Sequence, residues 1–434
     1  MIHGRITDSD SGEPVRAALV TNGRDVVSSG VDGCFSLPDS DRYGPVSVCL
    51  PDDCEIIDTS CETLPSGDTD VRVKTRAVRQ PRSFDFIHLT DAHLTGAERE
   101  RTLFGAIVDD IAVLNRKPAF IVNGGDMTLQ GGGLDSLLSS LKPLGLPIYH
   151  CVGNHEVISG EDDVFAPFTQ ACGPTWYAFN YGGIHVIVLR GVDHYATSEK
   201  APDWVGVISD DEKTWLTNHL PHVPTRKPII VAVHMPFVST WDLRWPQPEP
   251  LRYATTIKDD GVMDLFSRHN LVMVLSGHTH DNEQTRVGTV DHVVTAAACG
   301  SWWKGPNIDD APIGYRIVHV GDGEISSVYR CAGMPESHQF DVDFIERTND
   351  DHVRIGVNVF DGREQTRVCV CAGSQTILEL TKVSPETAEE RYLRWSHHYW
   401  IGTIPAHDLQ AVSDLCVRVE DDRWGVLEQA LEVR

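Results

Sequence analysis

Five short apolar runs of strand length punctuate the middle of the chain: Phe84 to Leu89, Ala119 to Val122, Ile148 to Val152, Ile229 to Val233 and Leu271 to Leu275. Runs this short, closed by polar or turn-forming residues, predict buried strands. Between them the period lengthens. Residues 98 to 114 place Leu103, Ile107, Ile111 and Leu114 on one stripe, with Glu98, Glu100, Arg101, Asp109 and Asp110 largely off it, which predicts an amphipathic helix. Residues 134 to 142 repeat the arrangement. Residues 209 to 220 predict a third helix, with Ser209 as N-cap and acids in a first turn where the helix dipole favours them. Strands alternating with helices predict an α/β core, and Trp176 to Leu189 alternates as a further β segment.

The flanks read differently. Residues 1 to 80 hold short alternating runs, such as Ala18-Leu19-Val20 and Val46 to Leu50, between turn clusters at Ser11 to Pro14, Asn22-Gly23 and Asp32-Gly33. From 336 to 434 the chain is again β-like, with Val353 to Val359, Thr366 to Cys371, Thr376 to Leu380 and Cys416 to Glu420 as strands. Three units follow: 1–80, 81–335 and 336–434. Inside the middle unit, Pro236 to Arg252 forms a long loop rich in Trp and Pro directly after His234, and loops of that length are more often functional than incidental.

The chemistry sits at the ends of the five runs. They lead into Asp91-Ala92-His93, Gly124-Gly125-Asp126, Gly153-Asn154-His155-Glu156, His234 and Gly277-His278-Thr279-His280. Side chains at the C-terminal ends of neighbouring strands share one rim of a sheet, where open α/β folds bind their ligands. Two aspartates clustered with several histidines are costly to bury without a compensating cation. Seven ligands exceed one tetrahedral site but suit two metals with a bridging carboxylate, and Asp126 lies in the middle of the order.

These five elements, in this order, resemble the D-x-H, G-D, G-N-H-[ED], H and G-H-x-H pattern of the calcineurin-like metallophosphoesterases. The resemblance implies a four-layer α/β core of two packed β-sheets flanked by helices, with small all-β domains at both ends. It implies one divalent metal on Asp91, His93, Asp126 and His280 and a second on Asp126, Asn154, His234 and His278. It also implies that His155 is not a ligand but faces the substrate phosphate, with Glu156 orienting it or standing behind it. A mixed nitrogen and oxygen set suits Mn, Fe, Zn, Co or Ni. The implied reaction is hydrolysis of a phosphate ester by a metal-bridging hydroxide. Gly4 to Asp8, Gly12 to Val15 and Asp32 to Leu37 resemble a transthyretin-like or carboxypeptidase-regulatory β-sandwich, and the region after Cys299 resembles a subfamily that carries both flanking domains.

Composition narrows the partners. Sixty-three acids against 37 bases give a net charge of −26, with no basic run to form a nucleic-acid track or a membrane-facing patch. A small phosphorylated substrate is expected, drawn in by the metals against the global field. No signal peptide or membrane-length apolar run is present, so a cytoplasmic location is expected. The eleven cysteines include no C-x-x-C pair, and Cys49, Cys54 and Cys61 lack zinc-site spacing, so reduced thiols are expected. His88, His150, His185 and His292 match no motif position and read as ordinary packing, as do His397 and His398.

For the organic part of the substrate, Arg190, His194, Trp241, Arg244, Trp302 and Lys304 are the candidates. Trp302 and Trp303 are equally suited to stack on a ring or to plug a domain interface. The competing function is a binding or scaffold protein on a catalytically idle core, with carbohydrate- or protein-binding β domains. Retention of all seven ligand positions favours the hydrolase.

Overall fold

A computed structural model describes the chain except residues 39–44, 64–68, 130–132, 158–162, 195–203, 250, 322, 349, 385–394, 411 and 433–434. The middle of the chain is built on two sheets. The first runs, in spatial order, Ile148–His150, Ile121–Asn123, Phe84–Leu89, Gly314–Gly321 and Glu324–Cys331. The second runs Tyr177–Tyr181, Ile184–Val188, Pro228–Ala232, Asn270–Ser276, Val290–Val294 and Glu283–Val287. The strands that precede the predicted ligands are parallel within each sheet, so their C-terminal ends share a rim.

The mostly apolar runs explain the layering. Phe84 and Phe86 pack with Phe120, Val122, Val186, Val188, Ile230, Ala232, Met273 and Leu275 between the two sheets. Ile87 and Leu89 point the other way, into a second cluster that includes Phe104, Ile107 and Ile111 of the Glu98–Ala112 helix. Strands buried on both faces lack a regular polar alternation, which is why these runs are nearly continuous. The helical stripe is rotated slightly from its expected position: Phe104 and Val108 are buried while Leu103 and Leu114 are only partly covered. The Asp210–His219 helix is capped as its sequence predicts, Ser209 accepting from the Glu212 N–H while Glu212 accepts from the Ser209 N–H.

Both ends of the chain add β structure. At the N-terminus, a four-stranded sheet ordered Cys34–Leu37, Ile2–Asp8, Thr69–Ala77, Cys54–Thr63 faces a three-stranded sheet of Val26–Ser28, Leu19–Thr21 and Ser47–Cys49. Ile2, Ile6, Phe35, Leu37, Val71 and Val73 fill the space between them, Phe35 and Leu37 sharing one face through the strand's period of two. At the C-terminus, Phe340–Arg347, His352–Val359, Tyr399–Pro405 and Thr381–Lys382 form one sheet, and Gln375–Glu379, Arg367–Ala372, Leu415–Asp421 and Gly425–Ala430 form another, around a shared apolar cluster. Among the described residues no helix is long and apolar enough to cross a membrane.

Candidate metal centre

The predicted ligands come from both sheets. Asp91 and His93 follow Phe84–Leu89, Asp126 follows Ile121–Asn123 and Asn154 follows Ile148–His150 in the first. His234 follows Pro228–Ala232, and His278 and His280 follow Asn270–Ser276, in the second. Backbone bonds tie the turns within each rim, the Asp91 and His93 N–H groups donating to the Gly125 and Asp126 carbonyls and Gly277 N–H to the His234 carbonyl, while the His278 N–H donating to Asp91 Oδ2 and the His234 ring donating to the Gly124 carbonyl join one rim to the other. Such close approach needs glycine. A Cβ on Gly277 would stand 2.2 Å from Thr90 Oγ1 and 2.3 Å from Asp91 Oδ2, and one on Gly153 would stand 2.2 Å from Asp126 Oδ1.

Five of the predicted ligands adopt left-handed backbone: Asp91, His93, Asp126, His278 and His280, with φ between 44° and 75°. Non-glycine residues carry a steric cost in that region and persist there only where the surroundings over-determine them. The strain aims their side chains inward from sharp turns at the strand ends.

Asp126 is the centre of the arrangement. Its Oδ1 accepts the His155 N–H at 2.8 Å, while Oδ2 lies 3.1 Å from His234 Nε2 and 3.7 Å from His93 Nε2. On the His93 side, His93 Nε2 is 2.9 Å from His280 Nε2, and Asp91 Oδ1 is 3.6 and 3.4 Å from the two rings. On the other side, His234 Nε2 is 3.2 Å from Asn154 Oδ1, and Asp126, His234 and His278 offer ligand atoms within 4.8 Å of one another. One carboxylate oxygen therefore faces both groups.

Outer partners fix which atoms point inward. His234 Nδ1 donates to the Gly124 carbonyl at 2.9 Å and His278 Nε2 donates to the Ala254 carbonyl at 2.9 Å, leaving His234 Nε2 and His278 Nδ1 for the centre. Asp91 Oδ2 accepts from Thr90 Oγ1 and the His278 N–H, while Asp91 Oδ1 and His278 Nδ1 are buried with no hydrogen-bond partner among the described residues. Orphaned buried acceptors beside two carboxylates are what a cation site looks like without its cation. Burial opposes the charged form of His234, yet Asp126 and Asp91 lift it up to about 10; burial likewise opposes ionisation of Asp126, yet His234 holds that carboxyl low. The two carboxylates thus draw positive charge into the centre.

Among the described residues, backbone N–H groups take both carboxylate oxygens of Glu156. Its Oε2 accepts the Asp126 and Gly153 N–H groups at 2.9 and 2.7 Å and its Oε1 accepts that of Thr128 at 3.1 Å, so it ties two ligand-bearing turns together. His155 is partly exposed, with Nε2 3.9 Å from Asp126 Oδ2, and burial holds it below the ordinary histidine value against the pull of Asp126. Cys299 is also brought to the centre, its sulfur within 4.8 Å of ligand atoms on His93 and His280. The sequence offered no signal for that, nor for Trp204, whose ring lies 5.9 Å from that of His155.

The substrate candidates divide. Trp302 is exposed, with its ring centroid 4.4 Å from His93 and 6.0 Å from His155, whereas Trp303 is buried and donates from Nε1 to the Ala92 carbonyl at 3.1 Å. Lys304 is exposed beside them. Arg244 is a correction: it is 1 % exposed, paired with Asp281 and Glu283, and donates to the Trp395 carbonyl. Trp241 packs on Trp395 with Trp245 in the same cluster, which ties the Pro236 to Arg252 loop to the C-terminal β region. Arg190 lies 3.7 Å from Glu212 and stacks over Phe165 and Trp176. His194 lines a cavity of about 450 Å³ with Tyr253 and Lys258. A larger cavity, of about 800 Å³, lies at the opposite ends of the strands, near Ile184, Pro228 and Asn270, and contains none of the predicted ligands.

His88, His150, His185, His292 and His398, read as packing, are buried. His88 bonds Thr295, and burial pushes it down to about 3; His185 bonds Asn180 and His219; burial pushes His150 and His292 down to about 4. His398 is buried and bonds Asp309 and Asn358. Cys49 is buried and Cys54 half-buried, both as free thiols, while the Cys61 side chain lies outside the described residues. Behind the ligand turn, Asn282 N–H donates to Asp309, Asn282 Nδ2 donates to the Phe360 carbonyl and Arg316 bridges Asn282 to Asp361.

Residues 84–282 match a family model described as calcineurin-like phosphoesterase, and residues 292–422 match one described as the C terminal of calcineurin-like phosphoesterase. No curated protein matches the chain. Among solved structures, a dimetal phosphatase from Danio rerio is similar at 12% identity, covering 57% of this chain and 96% of that one with a TM-score of 0.42. An anchor of the Plasmodium inner membrane complex matches at 16% identity, 58% and 86% coverage and a TM-score of 0.37. Phosphopantetheinyl hydrolase from Mycobacterium tuberculosis matches at 14% identity, 50% and 90% coverage and a TM-score of 0.31.

Proposed function

We propose, from the premise that the chain carries a calcineurin-like phosphoesterase domain followed by the C-terminal domain of that family, that it hydrolyses a phosphate ester of a small molecule at a pair of divalent cations. The observation that carries the reading is Asp126 Oδ2 facing His93 on one side and His234 on the other, with Asp91 Oδ1 and His278 Nδ1 making no hydrogen bond among the described residues. Asp91, His93, Asp126 and His280 would hold one cation, and Asp126, Asn154, His234 and His278 the other. When bound, such a pair supplies a water that loses its proton near neutral pH and neutralises charge developing on the phosphoryl oxygens. The reading keeps the three units, 1–80, 81–335 and 336–434, with the chemistry in the second.

The chain's own groups do the rest. Asp126 spans the two ligand sets, the Gly124 and Ala254 carbonyls hold His234 and His278 in the tautomers that turn a free nitrogen inward, and Glu156 keeps the Asp126 and Gly153 turns in register. His155 stands beside the pair with no ligand role. It donates a proton or a hydrogen bond to the departing oxygen, a task suited to an imidazole at the edge of solvent.

The test is reconstitution. Metal-stripped protein, loaded in turn with Mn, Fe, Zn, Co or Ni, should hydrolyse at least one of a chromogenic monoester, a chromogenic diester and a cyclic nucleotide. A protein that binds metal and cleaves none of them would favour the binding or scaffold reading instead.

A further inference from the structure

Trp302 is the tryptophan left exposed among the described residues, at 46 %. Single exposed apolar residues are common, but this one is held in place at a cost. Trp302 and Trp303 both adopt left-handed backbone, with φ of 55° and 61°, a conformation bulky side chains rarely take. Trp303 is anchored beneath, through its Ala92 contact and its own N–H to the Cys299 carbonyl. The turn thus uses one indole as a peg to set the other over the rings of His93, His280 and His155.

A second indole approaches the same histidine. Trp204 is half-buried, and its Nε1 donates at 3.1 Å to the Ala254 carbonyl, the acceptor that also orients His278. Its position is therefore tied to the centre and not to the surface. His155 is the residue placed at the leaving oxygen, so the two indoles border the leaving-group side. Arg190 and Arg244, both predicted substrate contacts, are engaged by Glu212 and by Asp281 with Glu283, so the indoles are the observed groups that border this side.

We propose that Trp302 and Trp204 form a ring-binding subsite, and that the substrate is a phosphate ester whose leaving group carries a flat ring. This rests on the hydrolase reading above. In the reaction a water oxygen bonds to phosphorus, the bond from phosphorus to the ring-bearing oxygen breaks, and that oxygen takes up a proton, giving an alcohol and a phosphate.

Benzyl phosphate and ethyl phosphate test it, because their leaving alcohols differ mainly in the ring. The metal-loaded wild type should favour the benzyl ester in kcat/KM by roughly 10-fold, the scale of one aromatic stack. Trp302→Ala should bring that ratio toward one, and Trp302→Phe should keep most of it. Independently of any variant, benzylphosphonate should bind the wild type more tightly than ethylphosphonate and quench tryptophan fluorescence. A wild type that hydrolyses both esters without preference, or a preference that survives Trp302→Ala, overturns the subsite. Hydrolysis of other panel esters but of neither of these two also overturns the subsite, and failure to hydrolyse these two and every ester of the wider panel overturns the hydrolase reading beneath it.

Discussion

Glu156→Gln isolates the clamp behind the metal centre. The wild-type carboxylate is 4 % exposed and accepts three backbone N–H groups, two on Oε2 and one on Oε1. Glutamine fills the same volume with one acceptor. With its oxygen on the Asp126 and Gly153 N–H groups, its amide nitrogen meets the Thr128 N–H, donor against donor. One charge-assisted bond is lost, worth about 1.5–3 kcal/mol, and the other two weaken to neutral strength. A loss of about 3 kcal/mol in stability is expected. Because the clamp spans the Asp126 and Asn154 turns, metal affinity should fall by roughly 10–100-fold, as for other partners that orient ligands. Calorimetric titration of Mn into metal-stripped wild type and variant at neutral pH measures the second effect, and thermal unfolding measures the first. Burial and the Asp126 charge push the Glu156 carboxyl up to about 7, so a neutral acid is the competing state. Were the acid neutral, glutamine would reproduce it. Unchanged metal affinity together with an unchanged Tm would refute the clamp.

Other substitutions separate the remaining roles. Asp126→Asn should lose both metals by elemental analysis, whereas His155→Ala should keep them and lower kcat by roughly 10²–10⁴-fold; equal metal loss in the two would remove His155 from its assigned place. Asp361, buried between Arg316 and Arg423, resists ionisation through burial but is held low by both guanidinium groups. A carboxyl lowered by folding stabilises the protein above its unfolded value of ~3.9 and ceases to as pH falls through the folded value. Asp361→Asn should therefore destabilise by about 3 kcal/mol at neutral pH, with the gap between the two unfolding curves closing in acid. A gap that is constant with pH would mean that Asp361 contributes packing alone.

The strands and the residues at their ends were legible because each is a local signal. Phe84 to Leu89 needed only its apolar run, and Asp91, Asp126 and His234 only their position after one. What side chains do at a distance was not legible. Arg244 looked like a cation facing substrate, but its partners Asp281 and Glu283 lie some forty residues on and reach it only through folding. Trp302 and Trp303 are adjacent in a motif with no period, and which one faces the centre depends on a left-handed turn that a sequence of bulky residues does not advertise. Glu156 was read beside His155 because it is its neighbour in sequence, yet the groups it binds are backbone N–H groups, which carry no residue-type signature. Cys299 and Trp204 reach the centre from segments with no motif at all.

The grip on Asn282 reaches beyond the chemistry. The residue stands two places after His280, and its hold on Asp309 and Phe360 makes the far β-region a backstop for the turn that carries two ligands. A fragment ending near residue 282 would keep every ligand while losing that backstop. Harmful substitutions should accordingly gather at Asp309, Asn358 and His398, where a side chain remote from any substrate sets how firmly the turn is held.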